Sequence, residues 1–202
     1  MTRARPDETS ADISRVALEM FASQGYDATS IRDIAAAVGI RGPSMYHHFA
    51  SKEDILWNLT ATALKRLTGA WQTAKYYVSV DDPITLLQAF VRADVLFHTE
   101  HRTEATLVNS QLHRLSPDHY AQAKEMRHAY ELELTNIVRA CLQSGEHEVP
   151  DLRVTVFAIL QMTMAIASWY DPDGHLSVRE LASTYEALAV KMLAPSASAQ
   201  PK

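Results

Sequence analysis

Nine histidines, one cysteine and scattered carboxylates are the groups with which this 202-residue chain can do chemistry. His98 and His101 stand three apart, with Glu104 one turn further, which is the spacing of metal ligands on a helix. No fourth ligand accompanies them, and solvated helix faces commonly carry histidine, so no metal is expected there. His47 and His48 are adjacent and point about 100° apart on a helix, which keeps them from sharing one ion. Cys141 has no partner for an internal disulfide, and nothing points to an oxidising compartment. No motif gathers a nucleophile and a base, so no catalytic residue and no cofactor is assigned. The polar side chains that do concentrate lie between Thr29 and Lys52.

That stretch has a definite local structure. Ser30 followed by Asp33 is a capping box, so a helix starts there. Ile31, Ile34, Ala35 and Val38 give it one apolar face. Gly39 sits where a helix ends in a left-handed residue, and Pro43 suits the first turn of the next helix. Met45 and Phe49 are its buried side, which turns Ser44, Tyr46, His47 and His48 outward. Ser51 with Asp54 opens a further helix. A short helix, a tight turn with glycine and a second short helix with polar residues outward make a helix-turn-helix, which reads DNA through its second helix. Thr29 and Ser30 are then placed to donate to a phosphate, and Arg41, Gly42, Pro43 and Ser44 lead the reading helix. Arg41 can pair with a guanine, and His47 faces base or backbone.

The run from Thr29 to Ala35, then Val38-Gly39-Ile40, then Ser44 to Glu53 resembles the DNA-binding signature of the TetR family of bacterial repressors. Arg41 and Pro43 depart from it, where the family commonly has serine and glycine. The resemblance implies contacts to the DNA backbone from Tyr46, His48 and Lys52, and a homodimer on a palindromic operator, released by a small molecule held in a larger helical domain.

The rest of the chain fits that expectation. From Ser10, residues Ile13, Val16, Ala17, Met20 and Phe21 mark a helix ended by Gly25. A long helix follows from Lys52 through Trp71, and Asp82-Pro83, Ser116-Pro117 and Ser177 with Glu180 open others. No strand-like alternation is seen, so the fold class is all-α. A three-helix helix-turn-helix domain is expected over residues 1–50, a helical ligand-binding and dimerisation domain over 51–193, and a disordered tail over 194–202. Arg3 and Arg5 belong to a loose arm that either reaches a groove or does nothing. Charge gives little support: eight basic and eight acidic residues balance up to Arg66, so the net −5 falls beyond it.

The nearly all-round apolar run Val154 to Tyr170 asks for cover on every side, and a second copy meeting it through the last two helices is the expected partner. Thr155, Gln161, Thr163 and Ser168 interrupt it, and it falls short of the ~20 residues that span a bilayer. No membrane partner is expected, no secretion leader is seen, and a soluble cytoplasmic protein follows. The segment from Trp169 to Ser177 resembles acyl-CoA-responsive regulators of lipid and sterol breakdown, which implies a lipophilic effector such as an acyl-CoA thioester. Phe90, Phe97, Met126, Tyr130, Met162, Ile166 and Trp169 are the expected ligand-binding residues, with plain core as the alternative for each. Arg114, Arg127 or Arg153 are candidates for a CoA phosphate. A sensor of planar or cationic drugs, using Asp94 or Glu133, is the rival. A helical thioester-processing enzyme is the rival of a different class.

Overall fold

In a computed structural model, residues 6–78, 82–143 and 145–195 are described. The elements in order are α1 (Pro6–Gln24), α2 (Ile31–Val38), α3 (Gly42–His48), α4 (Lys52–Tyr76), α5 (Pro83–Glu100), α6 (Arg102–Gln111) and a 3₁₀ turn (Leu112–Arg114). They continue as α7 (Pro117–Gln143), β1 (His147–Glu148), α8 (Leu152–Met164), α9 (Ile166–Trp169), α10 (Val178–Lys191) and β2 (Ala194–Pro195). Among the described residues the chain is all-helical apart from one small ladder, in which His147 faces Pro195 and Glu148 faces Ala194. This corrects the expected disorder at 194–195. The rest of the tail, and Arg3 and Arg5, lie outside the described residues.

The chain groups into two compact units, and the boundary falls inside α4 rather than at its start. One comprises the chain through Leu64 with Thr103–Lys124, the other Lys65–Arg102 with Glu125 onward. In the first, Ile13, Phe21, Ile34, Met45, Ile55 and Leu56 form the buried centre, as helical spacing requires. Its α1 begins at Pro6, earlier than Ser10, because proline's missing N–H is harmless at the first helical position.

In the second unit α5 is central, packing against α8, α9 and most extensively α10. Trp71, Phe90, Tyr130, Leu134, Ile159 and Ile166 lie in one buried cluster. Asp82 caps α5 by accepting from the Ile84 N–H at 3.0 Å, with Pro83 in the first turn. Ser177 and Glu180 cap α10 reciprocally. The stretch Leu152–Trp169 is apolar and long enough to cross a membrane by length and composition alone, which the expected shortfall did not allow for. Here Val156, Ile159 and Ile166 are core residues, and Ala165 divides the stretch into α8 and α9.

Candidate nucleic-acid interface and effector domain

The reading unit is built from two capped helices and the turn between them. Ser30 Oγ accepts from the Asp33 N–H at 3.2 Å, and Asp33 Oδ2 accepts from the Ser30 N–H at 3.1 Å. Gly39, at φ 79°, ends α2 in the left-handed region that glycine enters without strain. Arg41 is the N-cap of α3, extended and with no capping bond from its side chain. Arg41, Pro43 and His47 are exposed, Gly42, Ser44 and His48 half-buried, and Tyr46 keeps 54% of its surface in solvent. Met45 and Phe49 are buried on the opposite face. Tyr46, Ser30, Ile31 and Ser51 line a shallow depression of about 430 Å³ at the start of α2.

Two of the expected contact residues have other work. Thr29 is 1% exposed, and its hydroxyl donates inward to the Gly25 carbonyl at 2.9 Å, so it is not placed to meet a phosphate. Lys52 Nζ donates to the carbonyls of Tyr26 at 2.7 Å and Thr29 at 2.9 Å and lies 4.3 Å over the Tyr26 ring. Its charge therefore fastens the α1–α2 connection, satisfying carbonyls that no helix ladder reaches. Ser30 is exposed, but its hydroxyl donates to Asp33 Oδ2 at 2.6 Å.

Sequence reasoning missed a second set of fastenings. Glu53 Oε1 accepts from the Ser116 N–H at 2.8 Å and lies 2.9 Å from His119 Nδ1. The His119 ring stacks on Trp57, 4.7 Å between centroids and 9° between planes. Arg114 Nη2 donates to Asp27 Oδ2. These partners lie 62–87 residues apart in sequence, so no local spacing signals them. Glu53, Asp54 and His119 bring ligand-type atoms within 4.8 Å of one another, but they are occupied among themselves and with Ser51 and Ser116. His98, His101 and Glu104 are not among such clusters of the described residues. His98 Nδ1 instead sits 2.8 Å from the Asp94 carbonyl.

The expected ligand-binding residues divide between core and surface. Phe90, Tyr130 and Ile166 are buried, with Phe90 4.9 Å from the Tyr130 ring and 5.0 Å from Trp71. Met162 packs half-buried against the same cluster, Met126 is half-buried, and Trp169 is 48% exposed. Phe90, Tyr130, Ile166 and Met162 interdigitate as core, because bulky side chains on neighbouring helices fill the space between them. Phe97 lines a cavity of about 470 Å³ between α4 and α5.

The carboxylates expected to await a cation are also committed. Asp94, 1% exposed, accepts from the hydroxyls of Tyr130 (2.9 Å) and Thr163. Burial, then the Asp94 charge, pushes the Tyr130 phenol well above its ordinary range. Glu133 accepts from Trp71 Nε1 and Lys75 Nζ, both at 3.0 Å, and the Trp71 bond is the main cause of its lowered pKa. Arg153 lies over the Phe157 ring at 5.5 Å, and Arg127 is half-buried.

Residues 80–193, more than half the chain, match the family of tetracyclin repressor-like C-terminal domains, and residues 13–57 match bacterial regulatory proteins of the tetR family. The chain belongs to the TetR family. It is accordingly a DNA-binding, helix-turn-helix transcriptional regulator. The HTH-type transcriptional repressor KstR2 of Mycobacterium tuberculosis is 28% identical over 185 residues, which cover 89% of this chain and 90% of that protein. The TetR-family regulator PfmR of Thermus thermophilus superposes with a TM-score of 0.80 at 31% identity, covering 90% of this chain and 98% of that one. AibR, solved with isovaleryl coenzyme A and operator DNA, shares the fold at TM-score 0.78 and 24% identity, covering 93% of this chain and all of that one.

Arg41 to His48 form the N-cap and body of α3, the second helix of the helix-turn-helix. Gly39, the capping box and the Met45–Phe49 face set the scaffold. Arg41, Pro43, Tyr46 and His47 are the exposed residues of this stretch.

Proposed function

We propose that this protein is a repressor that binds a palindromic operator as a homodimer and lets go when an acyl-CoA thioester binds. The observation that carries the DNA half is that Arg41, Tyr46 and His47 are exposed at α3, with Ser44 and His48 half-buried beside them, while Met45 and Phe49 are buried. A helix so arranged enters a major groove and makes base contacts from its N-terminal end. Ser30, Gly42 and Pro43 bring backbone and side chain close to phosphate, while Lys52 and Thr29 act behind them.

The dimer half is supported by exposed apolar side chains on the last helices. Val154 (66% exposed), Phe157, Trp169 and Leu188 stand in solvent on α8, α9 and α10. A second copy of the same face would cover them and hold two reading helices at a fixed separation. The effector half is supported by the repressor KstR2 as a relative and by AibR as a fold neighbour that holds isovaleryl coenzyme A. Release requires the thioester to bind the two conformational states with different affinity. A cytoplasmic location follows from this work on DNA.

The test is a fluorescence-anisotropy titration of the duplex upstream of the protein's own gene. Saturable binding at a stoichiometry of two chains per operator is expected, and micromolar isovaleryl-CoA or a longer thioester is expected to reverse it. A protein that sediments as a monomer on that duplex, or a complex indifferent to every thioester, would overturn the corresponding half.

A further inference from the structure

The cavity between α4 and α5 is lined by residues to which the expected ligand set, apart from Phe97, does not extend. Its floor is the buried pair Ala93 and Phe97, and its walls are Ala70 and Ala74 of α4 with Ala89 of α5. On each helix the alanines are four apart, so they share a face. Side chains that stop at Cβ leave a slot where larger ones would have met. At about 470 Å³ the slot is within the range of small-molecule sites, about 300–1,000 Å³, and it is walled mainly by apolar side chains, as such sites are.

Arg92 also lines this slot and ties it to α10. Its Nε lies 2.7 Å from Glu186 Oε1, and its Nη2 donates to Glu186 Oε2 at 3.1 Å. The arginine side chain is 46% exposed and the glutamate 12%, so the guanidinium keeps open surface for an anion, with Arg66 and Glu100 also in the lining. A guanidinium has five donors, so such an anion would share Arg92 with Glu186 or displace it. The helix that loses or shares the contact, α10, also carries Leu188. On the other side, a ligand in the slot bears on α4, one unbroken helix from Lys52 to Tyr76.

We propose that this slot, and not the aromatic cluster, receives the effector: an amphiphile whose slender apolar part lies along the alanines against Phe97 and whose anionic head takes Arg92. The proposal rests on the effector-responsive reading above. Its chemistry is a carboxylate- or phosphate-bearing lipophile, and a short- or medium-chain acyl thioester is the member of that class to try first.

The test fills the slot from either helix, with Ala93→Phe and, independently, Ala70→Phe, and removes the head contact with Arg92→Gln. Melting curves without ligand show which variants fold as the native protein does. Each is titrated with isovaleryl-CoA, octanoyl-CoA, CoA alone and the apolar anionic dye 1-anilinonaphthalene-8-sulfonate. The native protein is expected to bind thioester and dye, each filled variant that folds to bind both at least about tenfold more weakly, and Arg92→Gln to lose a smaller factor. Native-like affinity in a folded filled variant, or no binding of either probe to the native protein, overturns the slot. Dye bound in the slot with no response to any thioester overturns the acyl-thioester reading and leaves the slot standing.

Discussion

The two compact units use the same kinds of side chain in opposite ways. In the unit containing α1 to α3, polar groups divide between fastening and presenting. Lys52, Thr29 and Glu53 are turned onto backbone and Arg114 onto Asp27, while Arg41, Tyr46 and His47 are left exposed. In the unit around α5, the division falls among apolar groups. Trp71, Phe90 and Tyr130 close a core, while four alanines on α4 and α5 keep a slot open. The lesson is that residue type alone separates neither pair. A lysine is a clamp or a contact according to which carbonyls it meets. An aromatic side chain marks packing here, and it is the lack of bulk that marks space.

The largest effect that sharpens this contrast is expected from Trp71→Ala. It removes a buried indole, its edge-on contact with Phe90 and its bond to Glu133. Truncation of a buried aromatic costs about 3–5 kcal/mol, to be read as a lowered denaturant midpoint at unchanged slope. Tyr46→Ala, at an exposed position, is expected to leave that midpoint in place and to weaken operator binding. Were Tyr46→Ala to destabilise as Trp71→Ala does, the distinction between presented and packed aromatics would fail.

A middle-sized effect separates clamp from contact. Lys52→Met frees the carbonyls of Tyr26 and Thr29 from a charged donor, a loss of about 1–3 kcal/mol of stability. Its operator affinity falls along with its melting temperature. Arg41→Ala has no internal capping bond to lose. It is expected to keep its melting temperature and lose about 1–3 kcal/mol of operator affinity, chiefly at one base pair. Measuring stability and affinity together in both variants decides the assignment, since a contact role for Lys52 would leave stability intact.

Much of this was legible because it is local. Ser30 with Asp33, Gly39, Pro43 and Ser177 with Glu180 state their roles within four residues, and the structure has each cap as expected. The outward face of α3 follows from Met45 and Phe49 alone. What sequence could not supply depends on partners far along the chain. Lys52 meets Tyr26 across 26 residues, Glu53 meets His119 across 66, and Ala194 pairs with Glu148. The slot was illegible for a different reason. Alanines at helical spacing read as ordinary helix formers, and only the approach of α4 to α5 makes them walls.

The smallest effect compares one motif across the two units. Both α2 and α10 open with a serine whose side chain is returned by the acid three residues on. In each the serine hydroxyl is the main cause of a carboxyl pKa below its ordinary value, Asp33 in one and Glu180 in the other. A carboxyl lowered in the folded state adds stability that is present above the unfolded carboxyl range, about 4, and is lost as pH falls through the lower folded value. Melting temperature is therefore expected to be flat from neutral pH to about 5 and to decline below 4, with Asp33→Asn and Glu180→Gln each reducing the slope of that decline. Serine-to-alanine changes are expected to cost about 1 kcal/mol, or roughly 2–4 °C for a chain of this size. The units part company in function. Ser30→Ala loosens the start of α2 beside the reading helix and is expected to weaken operator binding, whereas Ser177→Ala shifts the melting curve alone. Equal losses of operator affinity in the two variants would mean that binding follows overall stability, and that α2 has no special place in it.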